Sequence, residues 1–581
     1  MYLEKINGPE DIKNVPLDNL QILADEVREA VINRISKIGG HKGPNLGIVE
    51  LTLAMHYVFN SPEDKIVFDV SHQCYPHKIL TGRKYGYTDD ARFNEVSGFT
   101  NTLESEHDQF TVGHTSTSVS LALGLAHGRD VCGGKENIIA VIGDGSLSGG
   151  EALEAIDFAG EYRHNLIIIV NDNDMSIAEN HGGMYKTLRE LRENNGKAKN
   201  NIFEAFGLEY RYLDEGHDMP KLVEFLKSVK DIDHPVVLHV HTIKGKGLPY
   251  AEQNKELWHG GGPFNVEDGS PKNPAPAGEN LIHTLLEELL EKDPRSVILN
   301  AATPMGLGFF GEERAELERI GRFVDVGIAE ENAVAMASGI AKRGGTPVFG
   351  TFAPFFQRTY DQMSHDLCLN DNPATMLILY PGIYGSDSNT HIALCDVQMF
   401  AHIPNLIFLA PTSDSEIRGM FEYATTQKEH PVAIRIPTRP VDDKSEDKTD
   451  YSVLKSKVVK KGKGVAVIAA SNMLKRAFEL YDVLKEEGIE ISIINPVFLS
   501  GVDEELLKSL EADHSLVITM EDGELDGGYG QRVAGFLGRS AMKVITLGID
   551  KSFPTAFDPE EILDSCGMSV DKLLKTVKEY I

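Results

Sequence analysis

Short apolar segments alternate with helical patterns along the chain, and this alternation restricts its fold more than any other feature. In NIIAVIGDGSLSGGEALEAI, which begins at Asn137, an apolar run ends at Gly143, and a helical pattern follows from about Gly149 to Gly160. A second apolar run, NLIIIVN, comes next. Apolar strands separated by helices are typical of parallel sheets covered by helices on both faces. The sequence therefore predicts an α/β fold.

The same alternation recurs in two further parts of the chain. The expected strands are SVILNAA, RFVDVGIA, TPVFGTF and ATMLILY in the second part, and GVAVIAA, EISIINP and SLVITMED in the third. Residues 263–280 and 438–451 are poor in helix and strand formers, so we interpret them as linkers. They predict three consecutive α/β domains with mostly parallel sheets, at residues 1–270, 278–440 and 450–581.

Composition narrows the class of partners. Lys and Arg number 57 and Asp and Glu number 88, and the resulting net charge of −31 disfavours nucleic acid. The five cysteines form no C-x-x-C pair, which is typical of a reducing cytoplasm. We see neither a signal peptide nor an apolar run close to the roughly 20 residues of a membrane span. We expect a cytoplasmic protein that binds neither nucleic acid nor membranes.

Polar residues follow the two apolar runs of the first part. Asp144 follows the first run, and Asn173 follows the second, one helix and one strand later. Ligands bind at the carboxyl ends of parallel strands, where these side chains would be neighbours. A carboxylate, an amide oxygen and a backbone carbonyl suit a hard cation such as Mg²⁺, which binds phosphate oxygens in turn. The alternative is a simple turn in which Asp144 caps a helix.

Gly-Asp-Gly with a later Asn resembles the thiamine diphosphate motif of transketolase-like enzymes. The segments FDVSHQCYPHKILTGR, TVGHTSTSVSLALGLA, VNDNDMSIAEN, VGIAEENAVAMASGIA and FFQRTYDQMSHD closely resemble the 1-deoxy-D-xylulose-5-phosphate synthase family, from about Ile38 onward. The resemblance implies a transketolase-like homodimer that uses thiamine diphosphate and Mg²⁺. It also implies a transferase of isoprenoid biosynthesis that condenses pyruvate with glyceraldehyde 3-phosphate.

The resemblance also implies roles for individual residues. Mg²⁺ would be held by Asp144, Asn173 and the carbonyl of Met175. The residues implied to contact the cofactor are His72, His114, Ser116, Gly143, Gly145, Ser146, Lys244, Phe355 and Glu330. Those implied to contact the substrate are Arg358, His259, Tyr380 and Arg439. The catalytic group would comprise Glu330, His41, His72, His391 and Asp387.

Thiamine chemistry requires a desolvated carboxylic acid that hydrogen-bonds to the aminopyrimidine ring of the cofactor. Glu330 ends the apolar run RFVDVGIAE and opens a predicted helix. A Glu in the first turn of a helix ordinarily only compensates the helix dipole. The family places its activating glutamate in this Ile-Ala-Glu context, so we favour Glu330 over Glu331.

The resemblance places His41, His72 and His391 around the substrate. There the imidazoles could bind carbonyl and hydroxyl oxygens and shuttle protons near neutral pH. A zinc site made of His72, Cys74 and His77 is an alternative, which we disfavour because the spacing is not that of a closed structural site.

Several positions depart from the family pattern. The family has arginines that bind the acceptor's phosphate where this chain has Tyr380 and Thr438, and neutral side chains cannot replace a bidentate guanidinium. Arg439 and Arg435 are close in sequence and could compensate. Phe352 stands where the family has a tyrosine. The segment between residues 181 and 201 is shorter than in the family.

Two loops favour an alternative reaction within the same class of enzyme. GHKGPNLG and WHGGGP resemble transketolase loops, so ketol transfer between sugars, or an unphosphorylated acceptor, stays open. A more remote alternative is an NAD-dependent oxidoreductase, because Gly306, Gly308 and Gly311 form a G-x-G-x-x-G pattern. Glu312 and Glu313 would then stand where a pyrophosphate needs a helix N-terminus.

Overall fold

The structure is a computed structural model that describes residues 1–274, 280–386, 388–443, 445–554 and 558–580. The chain folds into two compact units. The first comprises Met1–Ala277 with Gly327–Ala329, and the second comprises Gly278–Val326 with Glu330–Ile581. Among the described residues, we find no helix with both the length and the apolar character that a bilayer crossing requires.

The first unit is built on one parallel sheet in the order β1-β2-β3-β5-β4. Its strands are β1 (Lys65–Phe68), β2 (Ile138–Gly143), β3 (Leu166–Asp172), β4 (Glu209–Leu213) and β5 (Pro235–His241). β2 and β3 are neighbours, and Gly143 lies opposite Asn171. The residues that follow these two strands therefore emerge side by side at one edge of the sheet.

Helices cover both faces of this sheet, because β2 and β3 are apolar on both sides and must be buried on both. The helices are α1 (Pro9–Ile12), α2 (Leu20–Ile38), α3 (Gly43–Leu46), α4 (Val49–Val58), α5 (Tyr75–Lys78), α6 (Tyr85–Thr88), α7 (Ser118–Cys132), α8 (Gly150–Ala159), α9 (Gly183–Glu193), α10 (Ile202–Ala205), α11 (Met219–Lys227) and α12 (Pro249–Gln253). One apolar cluster contains residues of α2, α4 and α11, and a second contains residues of α7, α8 and α9.

The second unit contains two sheets. The strands of the first are β6 (Ser296–Asn300), β7 (Phe323–Asp325), β8 (Thr346–Phe352), β9 (Thr375–Leu379), β10 (Ile407–Leu409) and β11 (Val432–Arg435), all parallel in the order β10-β11-β9-β8-β6-β7. The strands of the other are β12 (Lys457–Lys460), β13 (Gly464–Ala469), β14 (Ser492–Asn495), β15 (His514–Glu524) and β16 (Lys543–Ile549), in the order β12-β14-β13-β15-β16. β12 alone among these strands is antiparallel to its neighbour.

The helices of the second unit alternate with these strands. They are α13 (Leu281–Lys292), α14 (Pro304–Leu307), α15 (Gly311–Arg319), α16 (Glu330–Lys342), α17 (Asp396–Phe400), α18 (Asp414–Thr426), α19 (Met473–Glu486), α20 (Glu504–Leu510), α21 (Tyr529–Leu537), α22 (Pro559–Ser565) and α23 (Val570–Lys578). One apolar cluster contains residues of both sheets, including Phe349 of β8 and Val517 of β15.

The predicted α/β fold with mostly parallel sheets is confirmed, and each apolar run quoted above contains a strand. RFVDVGIA is the poorest match, because its strand ends at Asp325 and Gly327 takes a left-handed φ of +75°. The expected linker at 438–451 lies within the second unit, and residues 275–279 of the other lie outside the described residues. The three domain boundaries stay a prediction.

A buried ionic cluster joins β11 to the second sheet of its unit. Nε of Arg435 lies 2.6 Å from Oδ2 of Asp396, and its Nη1 lies 2.7 Å from Oδ1 of Asp522. Asn472 donates to the other oxygen of Asp522. All of these side chains are buried. Two buried carboxylates thus depend on one guanidinium.

Replacing Arg435 with methionine should destabilise the second unit by about 3–5 kcal/mol, because Asp396 and Asp522 would stay buried without their cation. A urea titration followed by circular dichroism measures this change. Arg418→Met is the matched control: its partner Glu288 is on the surface at 2.8 Å, and an exposed pair contributes at most about 1 kcal/mol. Equal effects of the two substitutions would contradict this account of the cluster.

Candidate active site

A buried carboxylate stands at the carboxyl end of β2. Asp144 is 1% exposed and begins a short 3₁₀ turn, Asp144–Ser148. Its oxygens accept hydrogen bonds from the backbone N–H of Asn173 at 3.4 Å, from the backbone N–H of Met175 at 3.0 Å, and from Nδ2 of Asn180 at 2.6 Å. These three donors are neutral. Burial and the nearby carboxylate of Asp172 raise the pKa of Asp144, so a cation would stabilise its ionised form.

Two amide oxygens beside Asp144 are buried without a hydrogen-bond partner. They are Oδ1 of Asn173 and Oδ1 of Asn180. Buried amide oxygens normally accept a hydrogen bond, so this unpartnered pair marks a place where a cation could be coordinated. Asn173 was singled out from the sequence, whereas Asn180 was missed. Two signals in the sequence could have identified Asn180. It lies in the loop after β3, and other asparagines closely precede it in the sequence.

Gly145 is required by packing in the turn after β2. A Cβ at this position would lie 2.8 Å from Cβ of Ser176. A Cβ at Gly143 would meet no atom within 4 Å, so packing does not explain that glycine. The carbonyl of Ser146 accepts a hydrogen bond of 2.8 Å from Oγ of Ser116, which ties this turn to the segment before α7.

Asp69 fixes the segment before α7. Its carboxylate accepts hydrogen bonds from the backbone N–H groups of Ser116, Thr117 and Ser118 at 2.9, 2.9 and 3.0 Å. Ser116 has a left-handed φ of +71°, and these bonds hold that unusual conformation. His114 is half-buried two residues earlier in the same segment.

Three imidazoles form a group in the first unit. The ring centroids of His41 and His72 are 5.2 Å apart, those of His72 and His259 are 5.3 Å apart, and those of His41 and His259 are 5.7 Å apart. The buried Asn45 connects their loops, because its Nδ2 donates to the carbonyls of His41 at 2.8 Å and of His72 at 2.7 Å. Asn45 was not recognised from the sequence, since its bond to the carbonyl of His72 joins positions 27 residues apart.

Lys244 connects the imidazole group to the residues after β3. It is 2% exposed, and its Nζ lies 2.5 Å from the carbonyl of Ser176 and 3.2 Å from Nδ1 of His259. Burial lowers the pKa of Lys244 to about 7. Burial and, secondarily, Lys244 lower the pKa of His41 to about 4 and that of His259 well below its usual range. The imidazoles of His41 and His259 are therefore neutral at pH 7.

The alternative zinc site is not supported. Nδ1 of His77 lies 2.9 Å from Nε2 of His56, and its Nε2 lies 2.9 Å from Oδ1 of Asp108. Both ring nitrogens of His77 are thus engaged by protein groups. Cys74 is buried, and burial raises the pKa of its thiol to about 12, which disfavours the thiolate that a metal needs.

In the second unit, a buried carboxyl group opens α16. Glu330 is 3% exposed, and its Oε2 is buried without a hydrogen-bond partner. Burial raises the pKa of Glu330 to about 7, an effect that the nearby charge of Arg358 partly opposes. A carboxyl group of this kind can hold its proton near neutral pH and share it with a ligand nitrogen. The adjacent Glu331 is only half-buried.

Aromatic rings cluster at the carboxyl end of β8. The ring of Phe355 lies 5.8 Å from that of His391 and 5.7 Å from that of Phe352. Phe352 meets Tyr380 edge-on at 5.1 Å. Nδ1 of His391 lies 2.9 Å from the hydroxyl of Thr390. The structure therefore brings together Phe355, His391 and Tyr380. Asp387 lies outside the described residues.

The two arginines suggested as replacements for the family's phosphate ligands have other partners. Arg435 is fully engaged by Asp396 and Asp522, so its suggested role is wrong. Arg439 lies 3.3 Å from Glu560 and packs over the ring of Tyr384 at 4.8 Å. The hydroxyl of Thr438 lies 3.5 Å from Oδ1 of Asn472.

The dinucleotide-binding alternative is also not supported. Gly306 lies inside the short helix α14, and Gly308 ends that helix with a φ of +86°. A helix therefore intervenes where a dinucleotide fold has one tight turn between strand and helix. Asp325 accepts a hydrogen bond of 2.9 Å from the backbone N–H of Ala302, which gives it a structural role.

Family models match most of the chain. Residues 3–201 and 195–242 match the model described as "1-deoxy-D-xylulose-5-phosphate synthase". Residues 275–442 match "Transketolase, pyrimidine binding domain", and residues 454–573 match "Transketolase, C-terminal domain".

Curated relatives match the full length. The proteins named "1-deoxy-D-xylulose-5-phosphate synthase" from Clostridium tetani and Alkaliphilus oremlandii are 37% and 36% identical, each over 100% of this chain and 99% of its own length. The chain belongs to the 1-deoxy-D-xylulose-5-phosphate synthase family. The relative from Natranaerobius thermophilus is 38% identical over 91% of this chain and 90% of its own length. A solved structure titled "Split gene transketolase, inactive beta4 tetramer" aligns with 52% of this chain and 96% of its own, at 24% identity and a TM-score of 0.46.

The synthase family depends on thiamine diphosphate, typically with a divalent metal, and the residues of this chain fit both groups. The buried Asp144 with two unpartnered amide oxygens provides the oxygen donors that Mg²⁺ prefers. The unpartnered Oε2 of Glu330 can share a proton with a ring nitrogen.

Glu330→Gln should stabilise the cofactor-free protein at alkaline pH. The folded-state pKa of Glu330, about 7, exceeds the ordinary value of 4.5, so its favourable contribution is present below pH 4.5 and is lost as pH rises through 7. The buried carboxylate then costs about 3 kcal/mol, and a neutral glutamine avoids this cost. Urea titrations at about pH 4.5 and about pH 8.5 should show a gain only at the higher pH. The half-buried Glu331→Gln is the control, and a pH-independent effect at position 330 would contradict the burial argument.

Proposed function

We propose that this chain is a thiamine diphosphate- and Mg²⁺-dependent transferase that condenses pyruvate with glyceraldehyde 3-phosphate, giving 1-deoxy-D-xylulose 5-phosphate and CO₂. The observation that carries the proposal is the buried Asp144 with unpartnered amide oxygens at the ends of β2 and β3, in a chain that its synthase relatives match along its whole length. We further propose a cytoplasmic homodimer that acts in isoprenoid biosynthesis.

Residues of the first unit would hold the cation and the diphosphate. Asp144, the Oδ1 of Asn173 and the carbonyl of Met175 would bind Mg²⁺. Two of the residues proposed for the diphosphate lie in segments that a hydrogen bond joins. The carbonyl of Ser146 accepts this bond from Ser116, and His114 lies two residues before Ser116. The pKa of Lys244, about 7, lets it gain a proton when an anion binds beside it.

Bound thiamine diphosphate would supply a carbon nucleophile and an electron sink for cleavage next to a carbonyl. The role of Glu330 is to hold a proton at its carboxyl group near neutral pH and donate it to the pyrimidine ring. Phe355 offers its ring face as a stacking surface for that ring. Desolvation of Glu330 is what makes proton sharing strong at this position.

The imidazoles would position substrate oxygens. His41 and His259 are neutral at pH 7, because their pKa values are lowered by burial. They can therefore both donate and accept hydrogen bonds with carbonyl and hydroxyl groups. His72 lies within the same group. Arg358, His391, Tyr380 and Arg439 stay proposed substrate or catalytic residues of the second unit, together with Asp387.

The holoenzyme should release CO₂ from pyruvate and form 1-deoxy-D-xylulose 5-phosphate when glyceraldehyde 3-phosphate is added. Product analysis by mass spectrometry, alongside ketose phosphates as alternative donors, tests the proposal. Ketol transfer without CO₂ release would contradict it and favour a transketolase reaction.

Glu330→Ala should keep its affinity for thiamine diphosphate and lose about 10²–10⁴ in turnover. Wild-type turnover in that variant would move the proton-donating role to another acid.

An unphosphorylated acceptor is a second candidate, which one observation favours. The neighbouring side chains of Phe352, Phe355 and Tyr380 at the carboxyl end of β8 are aromatic and carry no positive charge. Arg435 is engaged by two buried carboxylates, whereas Arg439 forms only an exposed ion pair with Glu560. An acceptor phosphate would therefore meet fewer guanidinium groups than the family pattern provides.

Tyr380→Arg combined with Thr438→Arg should raise kcat/KM for glyceraldehyde 3-phosphate by at least about tenfold, because each charge-assisted hydrogen bond contributes about 1.5–3 kcal/mol. The unphosphorylated aldehyde is the control substrate and should gain little. A wild-type enzyme that already prefers the phosphorylated aldehyde by several orders of magnitude would contradict this explanation of acceptor choice.

A further inference from the structure

Helix α9 packs beside the proposed cation site without contributing a ligand to it. Tyr185, Leu188 and Leu191 form its buried face. They belong to an apolar cluster that also contains Ile142 of β2 and Leu147 of the turn after it. The helix is therefore anchored on the same strand end that presents Asp144.

Tyr185 connects α9 to the turn after β2. Its side chain is buried, and its hydroxyl donates a hydrogen bond of 3.0 Å to the carbonyl of Gly145. Gly145 directly follows Asp144, so this bond restrains the turn that carries the carboxylate. The same carbonyl also accepts a hydrogen bond of 3.0 Å from Oγ of Ser148, so Tyr185 is one of two donors that fix it.

Arg192, the last but one residue of α9, connects the helix to the loop after β3. Its Nη1 lies 2.8 and 2.6 Å from the two carboxylate oxygens of Asp172, and its Nη2 lies 2.5 Å from Oδ1 of Asp174. Asp174 has a left-handed φ of +57°, which is unfavourable for a residue with a Cβ. Asn173 stands between the two aspartates, and one guanidinium holds both of its neighbours.

The charges of the two buried aspartates are balanced in different ways. Asp172 receives Arg192 and also Nε2 of His239, at 2.7 Å. Asp144 receives the neutral donors described above. The protein therefore compensates Asp172 from within, and Asp144 is left as the carboxylate that an external cation can neutralise.

We propose that Arg192 and Tyr185 are positioning residues, and that α9 uses them to hold the two turns that present Asp144, Asn173 and Met175 to the cation. This inference rests on the proposed function, because the cation is the metal that accompanies thiamine diphosphate. Neither side chain contacts the cation in this scheme. Each acts through the backbone or through a neighbouring carboxylate, as residues behind metal ligands commonly do.

The test is a titration of the full-length protein with Mn²⁺ in the presence of thiamine diphosphate, followed by electron paramagnetic resonance. Arg192→Met should raise the Mn²⁺ dissociation constant by about 10–100-fold and change the spectrum of bound Mn²⁺ at saturation. Arg192→Lys should recover only part of the affinity, because one ammonium cannot bridge two carboxylates as a guanidinium does. Arg189→Met is the matched control: Arg189 is exposed on the same helix, and affinity should not change.

Tyr185→Phe tests the other contact and keeps the ring that packs in the core. It should raise the dissociation constant about 2–10-fold, which corresponds to one neutral hydrogen bond.

Unchanged or tighter Mn²⁺ binding in Arg192→Met, or full recovery of affinity in Arg192→Lys, would overturn the positioning role. Full recovery would mean that Arg192 supplies only a positive charge. A wild-type protein that binds no Mn²⁺ with thiamine diphosphate would instead overturn the proposed function itself.

Discussion

The burial of the Asp144 carboxylate is the constraint on which the proposed site depends. An ionised carboxylate is costly to bury unless an opposite charge or strong donors accompany it. The fold surrounds Asp144 with backbone and amide donors and leaves two amide oxygens beside it without partners. This environment is unfavourable for the protein alone and favourable once a cation is present. Stability and cation binding are therefore linked at this position.

Asp396, Asp522 and Glu330, three other buried acidic residues, are accommodated differently. Asp396 and Asp522 share Arg435, so their charges are balanced within the fold. Glu330 is held without a hydrogen-bond partner at Oε2, and its raised pKa favours the neutral form. Pairing with arginine is typical of structural carboxylates, whereas protonation and dependence on an external cation are typical of functional ones.

The sequence predicted the parts of this structure that depend on local patterns. Apolar runs such as NIIAVIG and NLIIIVN contain the central strands, because a strand buried on both faces is apolar throughout. Asp144 and Asn173 could be paired because neighbouring parallel strands end at one edge. Asp387 and the domain boundaries stay predictions.

The contacts that position these residues could not be predicted, because they join segments far apart in sequence. Asn45 connects the loops of His41 and His72, and Arg192 reaches back to Asp172 across a loop and a helix. For Arg435, by contrast, the sequence suggested a role that the structure contradicts. Its closeness to Thr438 suggested a ligand for phosphate, but tertiary pairing with two buried aspartates commits it to the core.

The most direct test of the central claim is calorimetric titration of the wild-type protein and Asp144→Ala with thiamine diphosphate, each with Mg²⁺ and with a chelator. We expect binding to the wild-type protein that requires Mg²⁺, and little or no binding to the variant, whose circular dichroism should show that it is folded. Binding of wild-type affinity to Asp144→Ala, or binding to the wild-type protein that does not depend on Mg²⁺, would contradict the assignment of the cation site.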